Sequence, residues 1–230
     1  MPLPVRTPVT RTLLILIALM FVVEAILGGP PLRQPAAWLM LDIRGNALEL
    51  LGALTGGTLF DRQWWRLITV MFLHANLPHY AVNSWALFQL GSLYEALFGS
   101  RRFLLVYFAT GLCASIASMI HIANTDGASV GASGAIFGIL GAFIFSIRRS
   151  QWRHERWARG LTQQLVFWGV LNLVLGLTFR KYIDNSAHIA GLVSGLILGL
   201  VLPHRTPPLP PGQNVIDVQP YDDSPMPPRD

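Results

Sequence analysis

Long apolar runs recur along this chain, separated by short stretches of polar, glycine and proline residues. A helix that crosses a bilayer needs roughly 20 mostly apolar residues. Six stretches approach that length, over about residues 12–28, 76–99, 103–123, 131–147, 161–179 and 186–203. The pattern predicts an all-α, polytopic membrane protein with six transmembrane helices over residues 12–203. A short N-terminus over 1–11 precedes them, and a tail over 204–230 follows. That tail is rich in proline, carries Asp217, Asp222, Asp223 and Asp230, and lacks apolar periodicity, so it is read as disordered. Arg6 and Arg11 before the first run resemble the start of a signal peptide. Gly28-Gly29-Pro30-Pro31 is a poor cleavage site and five further spans follow, which favours a retained helix. The first two runs are joined by a long connection holding Trp38, Leu39, Leu41, Leu51, Phe60, Trp64 and Trp65. Its length and aromatic content predict a folded element at the membrane interface.

Composition supports lipid as the main solvent, with 52% hydrophobic and only 13% charged residues. The net charge of +5 and a pI near 10.0 could indicate nucleic-acid binding. The basic residues sit at the ends of apolar runs and form no aromatic-interleaved patch, so no nucleic-acid partner is expected. Arg101 and Arg102 follow the second run, and Arg148, Arg149, Arg153, Arg156 and Arg159 follow the fourth. Lys and Arg in short loops mark the cytoplasmic side, which puts both termini there and the loops after spans one, three and five outside. Arg180 and Lys181, in the last outer loop, run against this. The single cysteine, Cys113, allows neither an intrachain disulfide nor a cysteine zinc cluster.

Three clusters carry candidate chemistry. The fourth span opens on GASGAIFG, residues 131–138, with Ser133 at the start of an apolar helix. Free N–H groups and the positive dipole end at a helix N-terminus would stabilise an oxyanion formed beside this serine. The GxSG signal alone is weak, because serine and glycine also serve helix packing in membranes. The sixth span contains AHIAGLVSG, residues 187–195, with His188 near the same outer end. An ionisable group inside a membrane helix is a functional candidate by default, and a neutral imidazole within reach of a serine hydroxyl can act as its general base. Asp184 lies just outside this span and is a weaker candidate for a third member of a triad.

The second span supplies FLHANLPHYAVN, in which His79 and Asn83 are four residues apart and share a helix face. Both could complete an oxyanion hole with the backbone N–H of Ser133. For His74 a polar network joining helices is the better reading. A metal site is the rival, but there is no HExxH pattern and no acidic residue in this outer region, so no metal is expected. Gly134 and Gly138, and Gly191, Gly195 and Gly199, form small-residue stripes that allow helix backbones to approach closely.

Over about residues 62–200 these clusters, in this order, resemble the rhomboid intramembrane proteases. Trp65-Arg66 looks like the family's Trp-Arg element, and His74, His79 and Asn83 match its His-x4-His-x3-Asn pattern. Gly131 to Gly134 match the nucleophile motif GxSG, and His188, Gly191 and Gly195 match the base followed by glycines three and seven residues later. Glu95 falls in a segment similar to the family's end of span two, where its role is structural. The resemblance implies a rhomboid-like six-helix bundle and a serine endopeptidase with a Ser133–His188 dyad that lacks an acid. It also implies no cofactor, an outer loop lying partly in the bilayer, and cleavage of single-pass or multi-pass membrane-protein substrates near the outer membrane face. Where many members have tyrosine, this chain has Phe137, which keeps ring packing against His188 and loses a phenolic hydrogen bond. The minimal prokaryotic form and a bacterial inner membrane are implied. Two rivals remain: a catalytically dead relative that binds membrane clients, and a small transporter with a polar path through His79, Asn83, His188 and Glu95.

Overall fold

A computed structural model describes residues 7–30, 40–58, 60–179 and 183–202. The expectations for Trp38, Leu39, Arg180, Lys181 and the tail over 204–230 lie outside the described residues.

The first helix, α1, spans Pro8–Gly28, four residues earlier than the hydropathy run begins. Pro8 is tolerated at the first turn, where its missing N–H has no intrahelical acceptor. Thr10, Leu13, Ile17, Phe21, Glu24 and Gly28 form its buried stripe, while Ile15, Leu19, Val22 and Ile26 point outward. Apolar side chains facing out along a whole helix are what lipid contact requires and what water would penalise. Three described helices are long and apolar enough to cross a membrane: α1, α6 (Ser100–Ile122) and α8 (Arg156–Thr178). Helix α9 (Asn185–Val201) is shorter and equally apolar in character.

Between α1 and the second span, the chain is folded, as its aromatic content led one to expect. It forms α2 (Gly45–Leu51), the two-residue strand β1 (Leu54–Thr55), α3 (Arg66–Thr69) and a 3-10 turn over Val70–Phe72. Arg66 anchors it: Nη1 donates to the carbonyls of Glu49 and Ala53, each at 2.6 Å, and Nε donates to the Gln63 side chain. The guanidinium also lies 4.8 Å from the Trp65 ring centroid, a cation–π contact. Phe60, Trp64 and Trp65 stay half or more exposed on this element.

The second span is not one continuous α-helix. It is built of α4 (Leu77–Ala86), a π turn over Leu87–Gly91 and α5 (Ser92–Phe98). Pro78 in the first turn of α4 and the Asn76 side chain, accepting from the backbone N–H of His79 at 2.9 Å, fix where α4 starts. At the other end, Glu95 accepts from the backbone N–H groups of Val9 and Thr10 at 2.9 and 2.8 Å, from the Thr10 hydroxyl at 2.7 Å and from the Ser100 hydroxyl at 2.6 Å. It thereby satisfies the open N-terminus of α1, the structural role its sequence context implied.

Strand β2 (Ala128–Ser129) pairs antiparallel with β1 and precedes α7 (Ser133–Arg149). Helix α7 starts two residues later than the apolar run, because Gly131 adopts a φ of +129° that a helix cannot use. Helix α8 begins five residues before its run, at Arg156, with the carbonyl of Glu155 accepting from the N–H of Arg159. Helix α7 is the hub, with its whole Gly134–Ile147 stretch buried except Phe145. Against it, α9 packs backbone to backbone. A Cβ on Gly191 would run into the carbonyl oxygen of Gly134, and one on Gly195 into that of Gly138. One on Gly199 would stand 2.5 Å from the carbonyl oxygen of Ala142, so the tight seam continues to the far end of the helix.

Candidate active site

The glycine seam brings the starts of α7 and α9 side by side, and with them two side chains from distant parts of the sequence. His188 Nε2 lies 2.8 Å from the Ser133 hydroxyl oxygen. Ser133 is the first residue of α7, where backbone N–H groups lack intrahelical acceptors. The His188 ring stacks on Phe137, with centroids 4.3 Å apart and planes 11° from parallel. Its other nitrogen, Nδ1, is buried and has no hydrogen-bond partner among the described residues.

Asp184 is not a third member of a triad. Its carboxylate accepts from the side chains of Ser118, Ser129 and Ser186 and from the N–H groups of Ser186 and Ala187, capping α9. Burial alone would raise its pKa, but these hydrogen bonds outweigh that and hold it below the usual carboxylate range.

His79 and Asn83 stand against the loop that leads into Ser133. A Cβ on Gly131 would meet His79 Nε2 at 2.8 Å and Asn83 Nδ2 at 3.7 Å, so both the positive φ and the lack of space require glycine there. Gly131 is pinned from its other side by its N–H donating to the Val70 carbonyl at 2.9 Å. The Asn83 amide donates one N–H to the His79 carbonyl at 3.1 Å, which leaves its second N–H to serve an oxyanion.

His74 is fully buried behind His79. Its backbone N–H donates to the buried Glu24 of α1 at 2.9 Å, and its ring packs edge-on against His79 and Tyr80. The backbone of His74 thus ties this connection to α1, whereas its ring forms no polar network: neither ring nitrogen has a partner among the described residues. No group of three His, Cys, Asp or Glu side chains gathers at metal-binding distance among the described residues.

Ser133, His188, His79 and Asn83 all line one cavity of about 1140 Å³. Its walls include Val82 and Trp85 from α4, Gln89 from the π turn and Gln164, Trp168 and Asn172 from α8. The sequence singled out each of the four polar residues. It did not reveal what Asp184 holds, although an aspartate two residues ahead of a serine at a helix start is a capping signal. Nor did it reveal that Ser118 and Ser129 converge on that aspartate, because their partner lies far along the chain.

The Rhomboid domain family profile matches residues 61–205. Rhomboid protease GluP of Bacillus subtilis is 35% identical over 174 residues, which cover 74% of this chain and 33% of GluP. RHOMBOID-like protein 7 of Arabidopsis thaliana is 36% identical over 164 residues, covering 71% of this chain and 51% of that protein. The chain therefore spans about a third and about half of the length of these two relatives. YdcA of Bacillus subtilis is 30% identical over 172 residues, covering 73% of this chain and 83% of YdcA. With a helical membrane bundle, a profile match that takes in every candidate site residue and relatives similar along most of its length, the chain belongs to the rhomboid family.

Proposed function

We propose that this protein is an intramembrane serine endopeptidase that cleaves transmembrane segments of membrane proteins. The observation that carries the reading is the 2.8 Å approach of His188 Nε2 to the Ser133 hydroxyl inside a cavity walled by apolar helices. Ser133 attacks the carbonyl carbon of the scissile bond as its proton passes to His188. The oxyanion that forms is met by N–H groups at the start of α7 and by His79 and Asn83. The C–N bond then breaks as His188 returns the proton to the amine, which leaves. Water, deprotonated by His188, attacks the acyl ester; the carboxylic acid departs and Ser133 regains its hydrogen.

The cavity reaches between α4 and α8, which gives an extended peptide a route from the lipid side. Ser133 opens α7, while Arg148 and Arg149 close it. Basic residues at that far end favour the cytoplasm, so cleavage falls near the outer face, with both termini inside and a bacterial inner membrane as the location. No cofactor or metal takes part in this scheme, and the domain expected over residues 12–203 also takes in the start of α1 at Pro8.

The test is cleavage of a model transmembrane substrate by the full chain in liposomes. Ser133→Ala and His188→Ala are each expected to abolish cleavage while folding like the parent. Near-parental cleavage by either variant removes that residue from the mechanism. A chelator should leave the rate unchanged, and a loss restored by zinc would reinstate the metal reading of the histidines.

A further inference from the structure

The dyad has few supports of its own. His188 is held by one hydrogen bond to Ser133 and by the Phe137 stack, and its Nδ1 has no protein partner among the described residues that could fix the ring. In such a pair, the relative placement of the two helix starts decides whether Nε2 reaches the hydroxyl. One group bridges those two starts. Asp184 lies four residues before His188, and Ser129 lies four residues before Ser133; the Ser129 hydroxyl donates to Asp184 Oδ2 at 2.9 Å. The same oxygen accepts from Ser118, in the last turns of α6, while Oδ1 caps α9 through the N–H groups of Ser186 and Ala187 at 3.1 and 3.2 Å.

We propose that Asp184 is a positioning residue for the dyad, a clasp whose carboxylate fixes the His188 helix to the strand leading into Ser133 and to the end of α6. This rests on the Ser133–His188 reading above. Three features favour it over a simple helix cap. A cap needs one oxygen, whereas here the second oxygen is used wholly across elements, on Ser118 and Ser129. Ser129 belongs to β2, which β1 holds through the pairs Leu54 with Ser129 and Thr55 with Ala128, so the clasp pulls α9 against a braced strand. The glycine seam sets how closely α7 and α9 approach along their length, and the clasp ties the two at the end where the dyad sits. A shift of about 1 Å at reacting atoms can cost on the order of 10²-fold in rate.

The experiment uses the full chain in liposomes, with parent, Asp184→Ala, Asp184→Asn, a Ser118→Ala/Ser129→Ala double variant and Ser133→Ala. Turnover of a transmembrane substrate is expressed per site titrated by a fluorophosphonate. Asp184→Ala should lower kcat per titrated site by about 10- to 100-fold with KM unchanged, and should slow fluorophosphonate labelling in parallel. Asp184→Asn should recover most of the loss, because its amide oxygen still caps α9 and the serine hydroxyls can turn to accept from its NH2. The double serine variant should lose kcat while keeping the cap, and it carries the test if Asp184→Ala does not fold. A parental kcat per titrated site in the Asp184→Ala and double serine variants overturns the clasp, even if less protein folds. Ser133→Ala separates the two failures. If it still cleaves, the dyad and the clasp fall together; if it is inert while the clasp variants turn over normally, only the clasp falls.

Discussion

Helices α7 and α8 follow one another in the chain, are both apolar, and line the same cavity, yet they are held in opposite ways. Almost the whole of α7 from Gly134 to Ile147 is buried, and its backbone touches that of α9 at glycine after glycine. Helix α8 buries only Ala158, Leu165, Gly169 and Gly176, and turns Phe167, Trp168, Val170 and Val174 outward. Tight packing leaves α7 no room to shift without clashes, so groups mounted at its start are fixed in place. The proposed chemistry sits on that fixed side, at Ser133 and on the helices packed against α7. The α8 side contributes lining alone. Hydropathy treats the two helices alike; the difference lies in what each Cβ position faces.

The largest effect should come from the fixed wall. Asn83→Ala is expected to lower kcat by on the order of 10²- to 10³-fold with little change in KM, because its amide meets charge that exists only in the transition state. His79→Ala should act in the same direction. A rise in KM alone would assign these side chains to substrate binding. Next comes the seam. Gly195→Val should lower kcat by on the order of 10²-fold as α9 is pushed from α7 and His188 moves from Ser133, with Gly195→Ala intermediate. Gly199→Val also meets a carbonyl, that of Ala142 at 2.5 Å, which is somewhat less close than the Gly138 carbonyl at Gly195 and farther from the dyad. It should cost stability comparably and rate less, read as thermal midpoint against kcat.

The α8 side should respond weakly. A Cβ on Gly169 would meet only Leu140 side-chain carbons, at 3.4 and 3.8 Å, which is ordinary contact. Gly169→Ala should therefore leave kcat unchanged and raise thermal stability by up to about 1 kcal/mol through helix propensity. A large loss of activity would mean that α8 is held as firmly as α7, and the comparison would break. The smallest effect concerns pH. Asp184 has a folded pKa below its ordinary value of 3.8, so its contribution to stability is complete above that value and is lost as pH falls through the lower folded pKa. The stability difference between the parent and Asp184→Asn should be constant near neutrality and shrink in acid. A difference that grows in acid would reverse the sign of this linkage.

Much of this was legible in the sequence, for identifiable reasons. Ser133, His188, His79 and Asn83 stand out because polar groups in apolar runs are costly, and the glycine stripes announce close helix approach before any partner is known. The aromatic residues around Trp64 correctly marked a folded element between the first two spans. Other features left no local trace. The π turn at Leu87–Gly91 changes hydrogen-bond spacing without altering hydropathy, so the second span read as one helix. Strands of two residues have no periodicity, which hid the β1–β2 pair. Ser118, Ser129 and Asp184 look unrelated until the fold gathers them.

The central claim is that Ser133 is a nucleophile activated by His188. The most direct measurement is covalent labelling of the full chain by a fluorophosphonate, with the modified residue located by peptide mass analysis. The account predicts a single adduct on Ser133, no labelling of Ser133→Ala, and labelling of His188→Ala slowed to near background. Equal labelling of the parent and Ser133→Ala, or an adduct on any other residue, would contradict it.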